Sequence, residues 1–181
     1  MKILGLDSSG IVASVAIVEG ENLIAEYTVN YKKTHSQTLL PMLDELVKMT
    51  ELDLDTIDAI AVAAGPGSFT GLRIGSATAK GLGLALKKPL VEIPTVDALA
   101  YNLYDSRALI CPIMDARRSQ VYTGIYRFQE HKLVTVEAQM AVPMAEMIEK
   151  LNARGEEVVF LGDGVPVFGK MIQENLKVPY P

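Results

Sequence analysis

The sequence contains no tryptophan, two histidines and a single cysteine, Cys111. One cysteine excludes an internal disulfide bond and a metal site built from several thiolates. No apolar run approaches the roughly 20 residues that a membrane-spanning helix requires. Acidic residues number 22 against 17 basic ones, and the resulting formal charge of −5 repels phosphate backbones. We therefore expect a cytoplasmic protein without membrane contact and, if RNA is a ligand, another subunit that holds it.

Hydrophobic residues make up 49% of the chain, enough for a sizeable core, and the stretch 57–86 organises the rest. It opens with an apolar run, residues 59–64, whose length and composition predict a buried strand. The run stops at Gly65-Pro66-Gly67, which interrupts both strand and helix. Helical spacing resumes near Thr70 and ends at Leu86, before two lysines and a proline. The stretch predicts a strand, a glycine loop and a helix.

Small residues recur at every fourth position of this predicted helix: Gly71, Gly75, Ala79 and Gly83. The spacing places them in one ridge on a single face, where a second backbone can approach closely. A glycine inside a helix costs about 0.5–1 kcal/mol relative to alanine, so the ridge requires a structural reason. Two explanations remain open: close packing on the chain's own sheet, or contact with a helix of another chain.

The order of strands and helices predicts an α/β protein with two halves. The first half, residues 1–104, is predicted to contain strands 2–7, 12–18 and 23–30, helix 38–49, strand 59–64, helix 70–86, strand 90–93 and helix 95–104. The second half, residues 105–181, is predicted to contain strands 108–114, 120–128 and 132–136, helix 143–151, strand 157–161 and helix 166–176. We expect the lobe formed by this second half to be incomplete.

The turn after the first strand and the glycine loop are candidate anion sites. Asp7 precedes Ser8 and Ser9 at a hairpin tip, where its carboxylate either faces a phosphate or bonds the turn's own N–H groups. Loop amides near the caps Ser68 and Thr70 are positioned to hold an anion at the helix start. The candidate nucleotide contacts are therefore Asp7, Ser8, Ser9, Gly65, Gly67, Ser68 and Thr70. The loop lacks the lysine of a P-loop, and it matches a dinucleotide fingerprint only weakly.

The histidines and charged motifs form no recognisable catalytic set. A metal-binding pair on a helix needs a second histidine four residues after His35, and that position is Leu39. No nucleophile elbow or Ser–His–Asp set is present. Asp115 and Arg117 follow a predicted strand, where they either pair across the cleft between the lobes or form a charged turn. We expect no metal site and no catalytic residue.

Four motifs together resemble the TsaB (YeaZ) family. They are residues 1–9, the segment His35-Ser36 with Leu39-Leu40-Pro41, the run 65–75, and residues 114–117 with Val121-Tyr122. The run 65–75, GPGSFTGLRIG, is far more specific than a generic glycine loop. The resemblance extends over essentially the whole chain. It implies the actin-like ATPase (ASKHA) fold, with two ββ-rich α/β lobes.

The resemblance also implies a role in making N6-threonylcarbamoyladenosine (t6A) at adenosine 37 of tRNAs that read codons starting with A. In that family the chain is a non-catalytic subunit that supports its paralogue TsaD, which carries the metal and transfers the threonylcarbamoyl group. TsaE supplies ATPase activity, so ATP, magnesium and metal are expected on the partner subunits and no cofactor on this chain. The implied partners are TsaD and TsaE, a second copy of the chain when alone, and tRNA only through the complex. The older glycoprotease label has no support in these residues.

The resemblance and the small-residue ridge together predict a partner-binding face on the first helix and the ridge helix. Its expected members are His35, Leu39, Leu43, Leu46, Gly71, Arg73, Gly75, Ala79 and Gly83. On this hypothesis Gly75→Leu weakens the complex with TsaD and leaves the monomer folded. The alternative function is an ATP-binding enzyme of the actin-like fold that uses the Asp7 hairpin and the loop at residues 65–67.

Overall fold

The computed structural model describes residues 1–31 and 35–181, and its contacts divide the chain into two units, Met1–Thr95 and Val96–Pro181. The division falls earlier than the boundary between residues 104 and 105 expected from the sequence. Val96 and Ala100 explain the difference, because both are fully buried in a cluster with Ile110 and Tyr126 of the second unit. The helix that follows Pro94 therefore packs with the second unit.

In its described residues the first unit is a mixed sheet with two α-helices. Its elements are β1 (Lys2–Asp7), β2 (Ala13–Glu19), β3 (Asn22–Val29), α1 (His35–Thr50), β4 (Ala59–Gly65), α2 (Phe69–Leu86) and β5 (Leu90–Pro94). The strand order is β3-β2-β1-β4-β5. β1, β2 and β3 form an antiparallel meander, whereas β4 pairs parallel to β1 and β5 parallel to β4. The predicted order of these elements is confirmed.

The core of the first unit lies between the sheet and its helices. Alternate residues of a strand share one face, and on β1 these are Leu4 and Leu6, both at most 3% exposed. Helix α1 covers that face with Leu39, Leu43 and Leu46, which are spaced three or four residues apart. Burying one leucine contributes about 1.5–3 kcal/mol, so this stripe holds α1 on the sheet.

Helix α1 begins at His35, three residues before the predicted start at residue 38. Thr38 instead lies in the first turn, where its hydroxyl donates to the carbonyl oxygen of His35 at 3.4 Å. Pro41 consequently lies inside the helix. Proline lacks a backbone N–H, so the helix continues past Pro41 with one hydrogen bond fewer.

The second unit repeats the combination of an antiparallel hairpin and a parallel strand. Its elements are α3, which starts at the boundary (Thr95–Ala100), β6 (Leu109–Asp115), β7 (Gln120–Gln129), β8 (Lys132–Pro143), α4 (Met144–Arg154), β9 (Val158–Leu161) and α5 (Gly164–Asn175). The strand order is β8-β7-β6-β9, with β9 parallel to β6. β8 continues past residue 136, where the prediction ended it, because it pairs with β7 along its whole length.

Candidate functional site

The hairpin between β1 and β2 and the loop before α2 close on each other. The tip residues Ser8 and Ser9 are 2% and 3% exposed. The Ser68 N–H donates to the Ser9 carbonyl oxygen at 2.6 Å, and the Ser8 hydroxyl donates to the Gly71 carbonyl oxygen at 2.9 Å. Asp7 accepts the Ser9 N–H through Oδ1 at 2.7 Å. Ser8 and Ser9 are therefore covered by the glycine loop.

Glycine is required at two positions of this contact because the backbones are so close. A Cβ atom on Gly67 would lie 2.4 Å from the carbonyl oxygen of Ser9. A Cβ atom on Gly71 would lie 2.0 Å from the carbonyl oxygen of Ser8. Both distances are far inside van der Waals contact with backbone atoms that cannot move aside. Packing inside the first unit thus explains why Gly67 and Gly71 are glycines.

Four amides at the predicted anion contact, residues 7–9 and 65–70, already have partners within the unit. The amides of Ser9, Ser68 and Gly71 all donate within the unit, the last to the Ser68 hydroxyl oxygen at 3.2 Å. The Gly65 N–H donates to the Thr95 hydroxyl oxygen at 3.1 Å. An N–H group that already donates is unavailable to a phosphate. These four donors cap α2 and hold the hairpin against the loop. The Asp7 carboxylate accepts one of them, the Ser9 N–H, which is the structural alternative considered for Asp7.

The small-residue ridge faces the chain's own sheet. Gly71, Gly75, Ala79 and Gly83 are all buried. A Cβ atom on Gly75 would lie 2.6 Å from the Ser8 hydroxyl oxygen, and one on Gly83 would lie 2.9 Å from Leu90. Of the two explanations left open by the sequence, close packing on the chain's own sheet is the one observed.

The predicted partner-binding face is accordingly wrong for the ridge and for the apolar stripe of α1. Leu39, Leu43 and Leu46 are 1–4% exposed in the core of the first unit. These side chains form no surface that a partner can contact while the unit stays folded. Gly75→Leu is expected to disrupt the unit, which reverses the earlier expectation that the monomer stays folded.

His35 has a structural partner. Its Nε2 lies 2.8 Å from the carbonyl oxygen of Gly10, and a Cβ atom on Gly71 would lie 3.3 Å from its ring. The ring therefore joins the start of α1 to the β1–β2 hairpin. Among the described residues no group of three or more His, Cys, Asp or Glu side chains is arranged to hold a metal ion.

The sequence analysis named only Arg73 from the exposed face of α2 and missed the rest of that surface. Phe69 is 69% exposed and Leu84 is 83% exposed. Arg73 lies on the same face, with its guanidinium carbon 3.9 Å from the centre of the Phe69 ring. A groove of about 510 Å³ runs beside this helix, with Leu72, Ser76, Lys80 and Glu92 among its lining residues. The signal was a second stripe at helical spacing opposite the ridge: Phe69, Arg73, Ala77, Lys80 and Leu84.

The second unit brings Asp115 and Arg117 together within one turn. Arg117 Nη1 lies 3.3 Å from Asp115 Oδ2, and the Arg117 N–H donates to Asp115 Oδ1 at 2.8 Å. Of the two alternatives, a pair inside a charged turn is the one these contacts describe.

Deeper in the unit, burial raises the pKa of the Cys111 thiol to about 12, so this group stays protonated and is a poor nucleophile.

No helix in residues 1–31 and 35–181 is both long enough and apolar enough to cross a lipid bilayer.

Comparison with known proteins agrees with this fold and with the motifs. Residues 22–178 match the family model described as TsaD: tRNA N6-adenosine threonylcarbamoyltransferase. The chain is 36% identical over 176 residues to the tRNA threonylcarbamoyladenosine biosynthesis protein TsaB of Bacillus subtilis, covering 97% of this chain and 77% of that protein.

Two solved structures place the fold. YeaZ from Pseudomonas aeruginosa superposes with a TM-score of 0.83 at 27% identity, covering 99% of this chain and 83% of that one. Component A of the (R)-2-hydroxyglutaryl-CoA dehydratase from Acidaminococcus fermentans superposes with a TM-score of 0.52 at 10% identity, covering 100% and 92%, a likeness of fold alone. The chain therefore belongs to the TsaB (YeaZ) family and has the actin-like ATPase (ASKHA) fold.

Proposed function

We propose that this protein is a non-catalytic subunit required for threonylcarbamoyl transfer to tRNA in t6A biosynthesis. The relatives named for this pathway support the role, since one of them is 36% identical over almost the whole chain. The subunit acts by binding TsaD together with TsaE. ATP, magnesium and the catalytic metal are then bound by those partners, and tRNA is held chiefly by the assembled complex.

The surroundings of His35 carry the non-catalytic assignment. A helical metal pair uses two histidines four residues apart, with both rings free to reach the ion. Here the His35 ring contacts the carbonyl oxygen of Gly10, and the position four residues later is Leu39, 1% exposed in the core. Neither side chain is presented to a metal ion or a substrate.

The exposed face of α2 is the surface we assign to TsaD. Phe69 and Leu84, which are 69% and 83% exposed, give this face apolar side chains near both ends of the helix. The arginine beside Phe69 and the groove lined by Lys80 and Glu92 add charged groups at the rim of this apolar surface. Apolar centres with a charged rim are typical of protein interfaces. A second copy of the chain occupies the same face when TsaD is absent.

The test is the t6A content of tRNA in cells depleted of this protein, measured by mass spectrometry of tRNA nucleosides. We expect t6A to fall and to return when the wild-type chain is supplied. Other modified nucleosides from the same digest serve as the internal control, since they are made by unrelated enzymes. Unchanged t6A after depletion would contradict the proposal.

A further inference from the structure

A cavity of about 660 Å³ in the second unit lies between the β6–β7 turn and helix α5. Its rim carries three cationic side chains, two from the turn and one from the helix: Arg117, Arg118 and Lys170. Val167 of α5, 56% exposed, contributes an apolar surface to the same cavity. Three cations on one rim contrast with the formal charge of −5 of the whole chain.

The carboxylates at the cavity leave much of this positive charge unneutralised. Asp115 accepts the Arg117 N–H and pairs with the Arg117 guanidinium, which is itself 87% exposed. Glu174 lies 3.8 Å from Lys170, and both side chains are largely exposed, so water and salt weaken that pair. Within the described residues, the Arg118 guanidinium has no hydrogen bond or ion pair. Its charge is available to an incoming anion.

The turn that carries the two arginines is held in an unusual backbone conformation. Arg117, Arg118 and Ser119 have φ values of 67°, 51° and 60°, a region that residues other than glycine rarely adopt. The Gln120 N–H donates to the Arg117 carbonyl oxygen at 2.9 Å, and the Asp115 N–H donates to an oxygen of the Asp163 carboxylate at 3.1 Å. The arginines are therefore presented from a fixed turn, which lowers the entropic cost of binding.

We propose that this rim contacts the phosphate backbone of the tRNA substrate in the assembled complex. Arginine forks match phosphate oxygens in geometry, and a contact of this kind positions RNA without reading its sequence. Val167 offers a surface for the adjoining ribose. The inference rests on the proposed function, because tRNA reaches this rim only while the partner subunits hold it. The contact adds to the main binding surface and does not replace it.

The experiment measures tRNA binding by the complex of the full chain with TsaD and TsaE, by fluorescence anisotropy over a series of salt concentrations. Arg118→Gln should weaken binding about threefold. The slope of log association constant against log salt is negative, and its magnitude should fall by roughly 0.7–0.9. The double variant Arg118→Gln/Lys170→Gln should reduce the affinity and the magnitude of the salt slope further. Glu174→Gln should strengthen binding, an effect in the opposite direction that damage to the fold would not produce.

Arg107→Gln is the matched control. Arg107 is an exposed arginine before β6, whereas the cavity lies after the other end of that strand, so binding should stay at the wild-type level. Wild-type affinity and salt slope in the Arg118 and double variants would overturn the inference and leave the proposed function intact. Equal weakening by Arg107→Gln would overturn it as well, because the effect would then be one of net charge. A wild-type complex that neither binds tRNA nor forms t6A would count against the proposed function itself.

Discussion

Ser8 shows why individual residues of the glycine run are fixed. Its hydroxyl donates to the carbonyl oxygen of Gly71, a residue 63 positions away, and its backbone fills the space that a side chain on Gly71 would need. The motif is specific because two backbones, one from the hairpin and one from α2, lie against each other. A requirement for the absence of a Cβ atom is stricter than a requirement for any particular side chain.

The change in stability on replacing a glycine of α2 by alanine should depend on the space around its Cβ position. Gly71→Ala should destabilise the protein by about 3 kcal/mol, because its Cβ atom would lie 2.0 Å from a backbone oxygen. Gly81→Ala, in the same helix but facing open space, should stabilise it by about 0.5–1 kcal/mol. Urea unfolding of the two variants beside the wild type measures both effects. Equal stabilities for the two variants would contradict the packing described for the ridge.

Helix α2 shows what periodicity can and cannot reveal. The predicted helix 70–86 is confirmed, since α2 spans Phe69–Leu86 with Ser68 as its cap. Helical spacing showed that the small residues share a face, but the same spacing also places Phe69 and Leu84 on the opposite face. Which of the two faces meets the sheet depends on the hairpin and on β5, both distant in sequence. The sequence therefore left two explanations open, and the tertiary contacts decided between them.

An ion-pair network links β8 to α4 and makes the second unit sensitive to pH. Glu137 of β8 accepts from Arg154 at 2.7 Å and from Lys150 at 3.3 Å. The hydrogen bond from Arg154, with a smaller contribution from Lys150, lowers the pKa of Glu137 below its ordinary value of 4.5. A lowered pKa in the folded state stabilises the protein above pH 4.5, and this stability is lost as the pH falls through the folded value.

Glu137→Gln should therefore cost about 1 kcal/mol of unfolding free energy at neutral pH. Below pH 4.5 the difference from the wild type should shrink progressively, because the wild-type carboxylate becomes protonated as the pH falls through its lowered folded-state pKa. Urea unfolding across this range measures the change. Glu149→Gln, at an exposed position of α4, is the control and should show no such trend. A cost for Glu137→Gln that is independent of pH would show that packing, and not charge, is responsible.

At the scale of the whole molecule, the order of strands and helices follows the sequence prediction, and each unit combines antiparallel with parallel strand pairs. The boundary differed because α3 follows β5 directly in the chain yet buries Val96 and Ala100 in the second unit. Sequence order cannot assign such a helix, since its apolar residues fit either core. Helix α1 buries its apolar stripe in the core, whereas α2 also has an exposed apolar side chain, Leu84, which is 83% exposed.

Loss of this surface should weaken assembly without unfolding the chain. Leu84→Asp, alone or with Phe69→Asp, should reduce the affinity for TsaD at least about tenfold, because a charge replaces an apolar contact at the proposed interface. Titration of purified TsaD, followed by fluorescence or calorimetry, measures the change. Leu23→Asp, at an exposed leucine of β3, should bind like the wild type. Wild-type affinity in the Leu84 variant, with its thermal unfolding unchanged, would exclude this face.

The sequence by itself determined the order of strands and helices and the position of the glycine loop. Its motifs pointed to the family, and the comparisons confirmed it. Those features depend on local spacing and on residues close in the chain. Only the tertiary structure decided that the ridge is buried, that the amides of Gly65, Ser68 and Gly71 have partners, and that Phe69 and Leu84 are exposed. Each of these depends on contacts between segments far apart in sequence, such as Ser8 with Gly71, which local periodicity does not record.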